Sequence, residues 1–453
     1  MNKPLAKRRT FLQTAAAGTA GLGLAGPMIL TTAASETKEK LAMLGGTPIC
    51  KAKSASWPKV VKEDGDEDAW MDVLNKKGWC RLDGEYVNTF EKEYAKFTGV
   101  KECLATSCGT TALYTSLNAL GIGPGDEVLV TPYTFVATIN VILLQYALPI
   151  FVDTDRETFL IDPKKLEEKI TEKTRAILPV HIGGNVCNMD AIMEVAKKHK
   201  LIVVEDACQA HLAEWRGKKV GSIGNSGCFS FQVTKNLCSG EGGAVITDDS
   251  DLMDRCFSFH SNGRERTNKY GFGYVHNGIN ARMTEFSAAL LLQGMKRVEE
   301  QSRLRTENAL YLSKQLEEIP GIHPAKMYEG TTRNAYHLYM FRYDAKEFGG
   351  VPRDKFLNAM SAEGAGCGSG YSPLNKEPFL KDALYSRGYQ AVYSKERIDK
   401  YFSENECPEN DRLCKEEACW WYQTQFLATK EDMDQRAAAV RKIHAHAAEL
   451  AKA

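Results

Sequence analysis

The chain has 453 residues, 43% of them hydrophobic and 26% charged, enough to bury a large core and to build two or three domains. Its 58 Lys and Arg residues balance its 58 Asp and Glu residues, and no basic block follows the first residues. That balance removes the electrostatic case for a nucleic-acid partner and leaves small molecules as the expected ligands.

The first segment reads as an address. In KRRTFLQ, Lys7 to Gln13, Arg8 and Arg9 precede a weakly apolar run of Ala, Gly, Thr and Leu, then TTAAS, whose small residues suit a signal peptidase. Residues 1–35 resemble a twin-arginine export signal, which implies a periplasmic protein, or a cytoplasmic one if the signal is not used. A membrane anchor fits less well, because the run is rich in glycine and only mildly apolar. The twin-arginine route carries folded proteins that have loaded a cofactor, so a cofactor is expected.

Beyond the signal, short runs rich in Val, Ile and Phe predict strands: VLVTPY from Val128, PIFVDTD from Pro149, AILPVHI from Ala176, LIVVEDA from Leu201, GCFSFQ from Gly227 and GAVITDD from Gly243. Helical patterns such as TTALYTSLNAL and MDAIMEVAKKHK lie between them. Continuous apolar strands alternating with helices indicate an α/β domain whose mostly parallel sheet is covered on both faces. Its ligands are expected at the carboxyl ends of the strands. From about Gln301 the pattern changes to a long helix, RLRTENALYLSKQLEEI, a hairpin-like AYHLYMFRYD and further helices, so a second domain is expected over 301–453, after a large domain over 36–300.

Polar residues sit at the predicted strand ends. LIVVEDACQAH places Glu205, Asp206, Gln209 and His211 after an apolar run. A buried carboxylate is costly unless a cation meets it, so Asp206 is expected to face a permanent positive partner. Ser230 ends the next strand, and Lys235 follows five residues later in a turn of small residues. Upstream, TSCGTTAL brings Gly109, Thr110 and Thr111 to a helix start, which offers N–H groups and hydroxyls to a phosphate. Pyridoxal 5'-phosphate needs these three things: a phosphate anchor, an Asp for its pyridinium nitrogen and a Lys for its aldehyde. Taken singly, each has a plainer reading as a helix cap, a turn or a solvated surface charge. In this order and at these spacings the plain readings are jointly improbable.

The thirteen cysteines match no zinc spacing, and no metal is expected. Cys208 and Cys228 fall in apolar runs that suit buried free thiols, whereas Cys407 and Cys414 could bridge in an oxidising compartment.

The stretches CGTTAL, GIGPGDEVLVTPYTFVAT, PIFVDTDRETFLIDP, VVEDACQAHLAEWRGKKVGSIG, FSFQVTKNLCSGEGGAVITD and GINARMTEFSAALL resemble the DegT/DnrJ/StrS family of sugar and cyclitol aminotransferases. The likeness runs from LAMLGGTP at Leu41 nearly to the C-terminus. WP at Trp57 and GEYVNTFEKEYAKFTG look most like the branch that aminates keto-inositols from glutamine and its aminohydroxybenzoate-making relatives. The resemblance implies fold type I: a large domain with a mostly parallel seven-stranded sheet between helices, and a smaller C-terminal α+β domain. It implies Lys235 as the Schiff-base lysine, Asp206 as the pyridinium partner and Gln209 beside the ring hydroxyl. Gly109, Thr110 and Ser230 would meet the phosphate, and Phe135 would stack on the ring. Asn280 would reach the phosphate of a neighbouring subunit, making the active site a shared feature of a homodimer.

The activity so implied moves an amino group from glutamine or glutamate to a keto sugar or keto-cyclitol. A lyase or dehydratase acting on sugars, or a non-catalytic cofactor-binding sensor, is the alternative. Retention of Lys235, which the family's dehydratases replace with histidine, disfavours deoxygenation. The chain departs from the family in ACWWYQTQFL, where a histidine is often found; Trp420, Trp421 and Tyr422 there are expected to close a hydrophobic patch, with a possible effect on substrate. His181, His211, His260 and His337 are expected to be structural before they are substrate contacts.

Overall fold

The computed structural model describes residues 40–50, 63–76, 78–267 and 273–453. The proposed export signal and Trp57 lie outside these residues. Six of the seven strands of the central sheet form where apolar runs were predicted: β2 (Glu127–Val130), β3 (Leu148–Phe151), β4 (Thr174–Leu178), β5 (Ile202–Asp206), β6 (Ser226–Ser230) and β7 (Gly243–Thr247). The seventh, β1 (Glu102–Thr106), completes the order β1-β7-β6-β5-β4-β2-β3. Pairing is parallel from β6 through β5, β4 and β2 to β3, and only β7 runs against its neighbours β1 and β6. Nearly every residue of these strands is buried, as expected for a sheet with helices on both faces.

Two helices set the near side of the site. Helix α1 (Gly109–Ala119) begins where Cys108 leaves an extended conformation and Thr111 caps it, its Oγ1 accepting from the Cys108 N–H at 3.1 Å. Helix α2 (Val136–Leu143) starts directly after Phe135. Further along, helix α3 (Val298–Leu316) leads into a second, three-stranded sheet in the order β8 (Ile322–Pro324), β9 (Leu338–Tyr343), β10 (Ala418–Tyr422). The stretch AYHLYMFRYD is therefore no hairpin. Its residues 338–343 form the central strand β9, antiparallel to partners that precede and follow it in the chain.

Among the described residues two large hydrophobic cores follow this arrangement, beside a small cluster of Ala69, Val73 and Ala289. One surrounds the large sheet and also takes in Leu374, Tyr401 and Trp420; the other packs α3 and the C-terminal helices on the small sheet around Phe341 and Trp421. All thirteen cysteines are free thiols, Cys407 and Cys414 included. Among the described residues no helix is long and apolar enough to cross a membrane.

Candidate active site

Strand β5 delivers two carboxylates with different fates. Glu205 accepts from the backbone N–H groups of Gly221, Ile223 and Gly224, each at 2.7 Å, with His181 Nε2 at 3.1 Å, so it staples a turn. Asp206 is equally buried but less occupied: Thr138 Oγ1 donates to Oδ2 at 2.8 Å and the Cys208 N–H donates to Oδ1 at 3.1 Å. No Lys or Arg forms an ion pair with it among the described residues. A carboxylate held this way, without a direct ion pair, is poised to meet a positive charge in the cavity.

Lys235 lines the same cavity, which measures about 580 Å3. Its turn is built by backbone bonds from the Lys235 N–H to the Gln232 carbonyl at 2.8 Å and from the Val233 N–H to the Gly240 carbonyl at 2.9 Å, with Gln232 Oε1 accepting from Thr234. Gly240 makes the return at φ +89°, a left-handed conformation that glycine adopts without strain. The amine has neither an ion pair nor a hydrogen bond among the described residues. Burial holds it below its ordinary value, against the opposing pull of the Asp206 and Glu241 carboxylates.

Gly109 opens α1 against the end of β6, so close that a Cβ there would lie 2.7 Å from Ser230 Cβ and 3.0 Å from Cys208 Sγ. The glycine therefore lets the first-turn N–H groups of α1 and the Ser230 hydroxyl converge on one wall, a cradle suited to a phosphate. Gln209 is clamped at both ends, Oε1 accepting from the Gly183 N–H at 2.8 Å and Nε2 donating to the Tyr371 hydroxyl at 2.8 Å. Phe135 stands at the cavity with 56% of its surface exposed, an apolar ring waiting to be covered.

Gly109, Thr110, Phe135, Asp206, Gln209, Ser230 and Lys235 thus line one cavity. Asn280 does not. It is exposed, bridged to Ser261, and part of a segment that runs past Thr106 and Cys80. Of the four histidines only His337 lines the cavity; burial pushes His211 and His260 down to about 3, which keeps both neutral. Trp420 and Tyr422 face the cavity while Trp421, between them, enters the small core and donates to the Ala365 carbonyl at 3.0 Å. The sequence did not single out Thr138 or Tyr371. Thr138 lies three residues after Phe135, on the first turn of α2, a spacing that would have pointed to it; Tyr371 has no local signal.

A family model described as the DegT/DnrJ/EryC1/StrS aminotransferase family matches residues 62–404. The chain belongs to this family. It is an aminotransferase with the fold type I architecture of pyridoxal-phosphate-dependent enzymes. The aminotransferase is 33% identical to L-glutamine:scyllo-inosose aminotransferase of Streptomyces griseus over 89% of this chain and 97% of the relative. It is 37% identical to GDP-perosamine synthase of Caulobacter vibrioides over 70% of this chain and 84% of the relative. The crystal structure of 3-amino-5-hydroxybenzoic acid synthase superposes with a TM-score of 0.76 at 29% identity, covering 88% of this chain and 99% of that one.

Proposed function

We propose that this aminotransferase transfers the amino group of glutamine or glutamate to a keto sugar or keto-cyclitol, with pyridoxal 5'-phosphate as cofactor and Lys235 as its covalent seat. The observation that carries the reading is Asp206, a buried carboxylate with no ion pair among the described residues, lining one cavity with Lys235, whose amine has neither an ion pair nor a hydrogen bond among them. The residues fit the cofactor: Gly109, Thr110 and Ser230 would hold its phosphate, Phe135 would cover its ring, and Gln209 would lie beside its hydroxyl. When bound, the cofactor supplies the electron sink for the pair released at the donor's Cα.

Each side chain then has one task. Asp206 keeps a proton on the ring nitrogen, and Thr138 keeps Asp206 in place. Lys235, as the neutral amine that burial favours, would take up the donor's Cα proton and hold it for transfer to the bound group. With an acceptor in place of the donor, Lys235 would move a proton in the opposite direction. Asn280 reaches a second subunit's phosphate in a homodimer. That reading is supported by the aromatic cluster beside its segment, where Trp79, 53% exposed, and Trp70 pack on Phe286. Residues 1–35 direct export.

The absorbance spectrum tests the proposal. The purified protein is expected to show the visible band of a lysine-bound pyridoxal, to lose it in Lys235→Ala, and to be bleached by L-glutamine or L-glutamate. A protein that stays colourless after reconstitution overturns the cofactor assignment. A coloured protein that no amino acid bleaches overturns the transferase.

A further inference from the structure

Lys235 owes its place to more than its own turn. The next residue, Asn236, is buried, and its side chain crosses to the segment that enters β9: Nδ2 donates to the Ala335 carbonyl at 2.7 Å, and Oδ1 lies 3.2 Å from His337 Nδ1. The first bond fixes which end of the amide is oxygen. Because that oxygen can only accept, His337 carries its proton on Nδ1 and keeps a lone pair on Nε2. Burial, with the charge of Lys235 nearby, holds His337 well below its ordinary value, so the ring stays neutral.

The backbone that carries these partners is strained. Tyr336, between Ala335 and His337, has φ +46°, a left-handed conformation that a bulky side chain adopts only under constraint. The Ala335 N–H donates to the Gly184 carbonyl at 3.0 Å, the Tyr336 N–H to Asn334 Oδ1 at 2.8 Å and the Gln423 N–H to the His337 carbonyl at 3.1 Å, and together they hold the twist. Its result is that a carbonyl and an imidazole two residues apart meet one amide, that of the residue beside Lys235.

We propose that Asn236 and His337 are positioning residues for Lys235: the pair ties the lysine's turn to the segment entering β9 and holds the amine within reach of the cofactor's aldehyde. The inference rests on Lys235 as the covalent seat of the cofactor, and it adds a device that prepares the lysine before any substrate arrives.

Stopped-flow mixing of the cofactor-free full chain with pyridoxal 5'-phosphate tests it. The rate at which the visible band appears reports the amine adding to the aldehyde carbon with loss of water. Pyridoxine 5'-phosphate, with an alcohol in place of the aldehyde, cannot bond to lysine, and its calorimetric titration reports binding in the cradle alone. His337→Leu and Asn236→Leu are expected to slow the band about tenfold or more while pyridoxine 5'-phosphate binds as it does to the wild type. His337→Asn, whose amide nitrogen can stand where Nδ1 stood, is expected to restore most of the rate. Leucine variants that form the band at the wild-type rate, or that lose rate and pyridoxine 5'-phosphate affinity alike, would overturn the inference. Should Asn236→Leu not fold, the two His337 variants carry the comparison. A wild-type chain that gains no band overturns the cofactor assignment and this inference together, whereas a band that no donor bleaches removes the transferase and leaves the pair standing.

Discussion

Replacing one carboxylate oxygen of Asp206 with an amide nitrogen separates charge from shape. Asp206→Asn can still accept from Thr138 but no longer holds a proton on a bound ring, so turnover is expected to fall about a hundredfold or more with the visible band retained. Steady-state rates and the spectrum check this together. Gly109→Ala adds the one atom the cradle cannot take, 2.7 Å from Ser230 Cβ. It is expected to cost about 1–3 kcal/mol of stability and to weaken cofactor affinity, measured by urea unfolding and by cofactor titration. At this scale the site was legible because Asp206 and Lys235 each follow an apolar run within a few residues. Tyr371 was not, since its place beside Gln209 depends on a contact 162 residues away in the chain.

Among elements, α3 and β10 are joined by a contact that local pattern does not announce. Arg305 on α3 is 1% exposed and its guanidinium donates to Gln423 Oε1, Nε at 2.9 Å, just past the end of β10. Burial pulls the guanidinium down to about 9, and no carboxylate pairs with it among the described residues. Gln423→Leu would leave that cation without its acceptor. A loss of about 2 kcal/mol in urea unfolding is expected, with the cofactor band unchanged. A charge on a helix is ordinarily solvated, so nothing in the run RLRTENALYLSKQLEEI sets Arg305 apart as buried. Strand β1 escaped notice for a related reason: ECLAT lacks a β-branched run and is completed by its antiparallel partner β7. The six other strands of the sheet were legible because parallel strands buried on both faces must be apolar throughout.

For the molecule as a whole, acid is the relevant stress. His211 and His260 sit near 3 in the folded chain against an ordinary 6.5, so between these values the unfolded chain takes up protons that the native one refuses. Stability is therefore expected to fall as pH drops from about 6.5 towards 3, and His211→Phe, beside Phe229 and Phe231, should make the slope shallower by about one proton. Urea midpoints measured from about pH 7 down to about pH 5 would show it. The quaternary reading rests on resemblance, because Asn280 stands apart from its own chain's cavity. One strand carries a consequence for how such an enzyme changes over generations. On β10 the residues that touch the cavity, Trp420 and Tyr422, alternate with those that build the small core, Cys419 and Trp421. Variants selected for a new acceptor should accumulate at 420 and 422 while 419 and 421 stay fixed, so that preference can drift without the scaffold having to be reinvented.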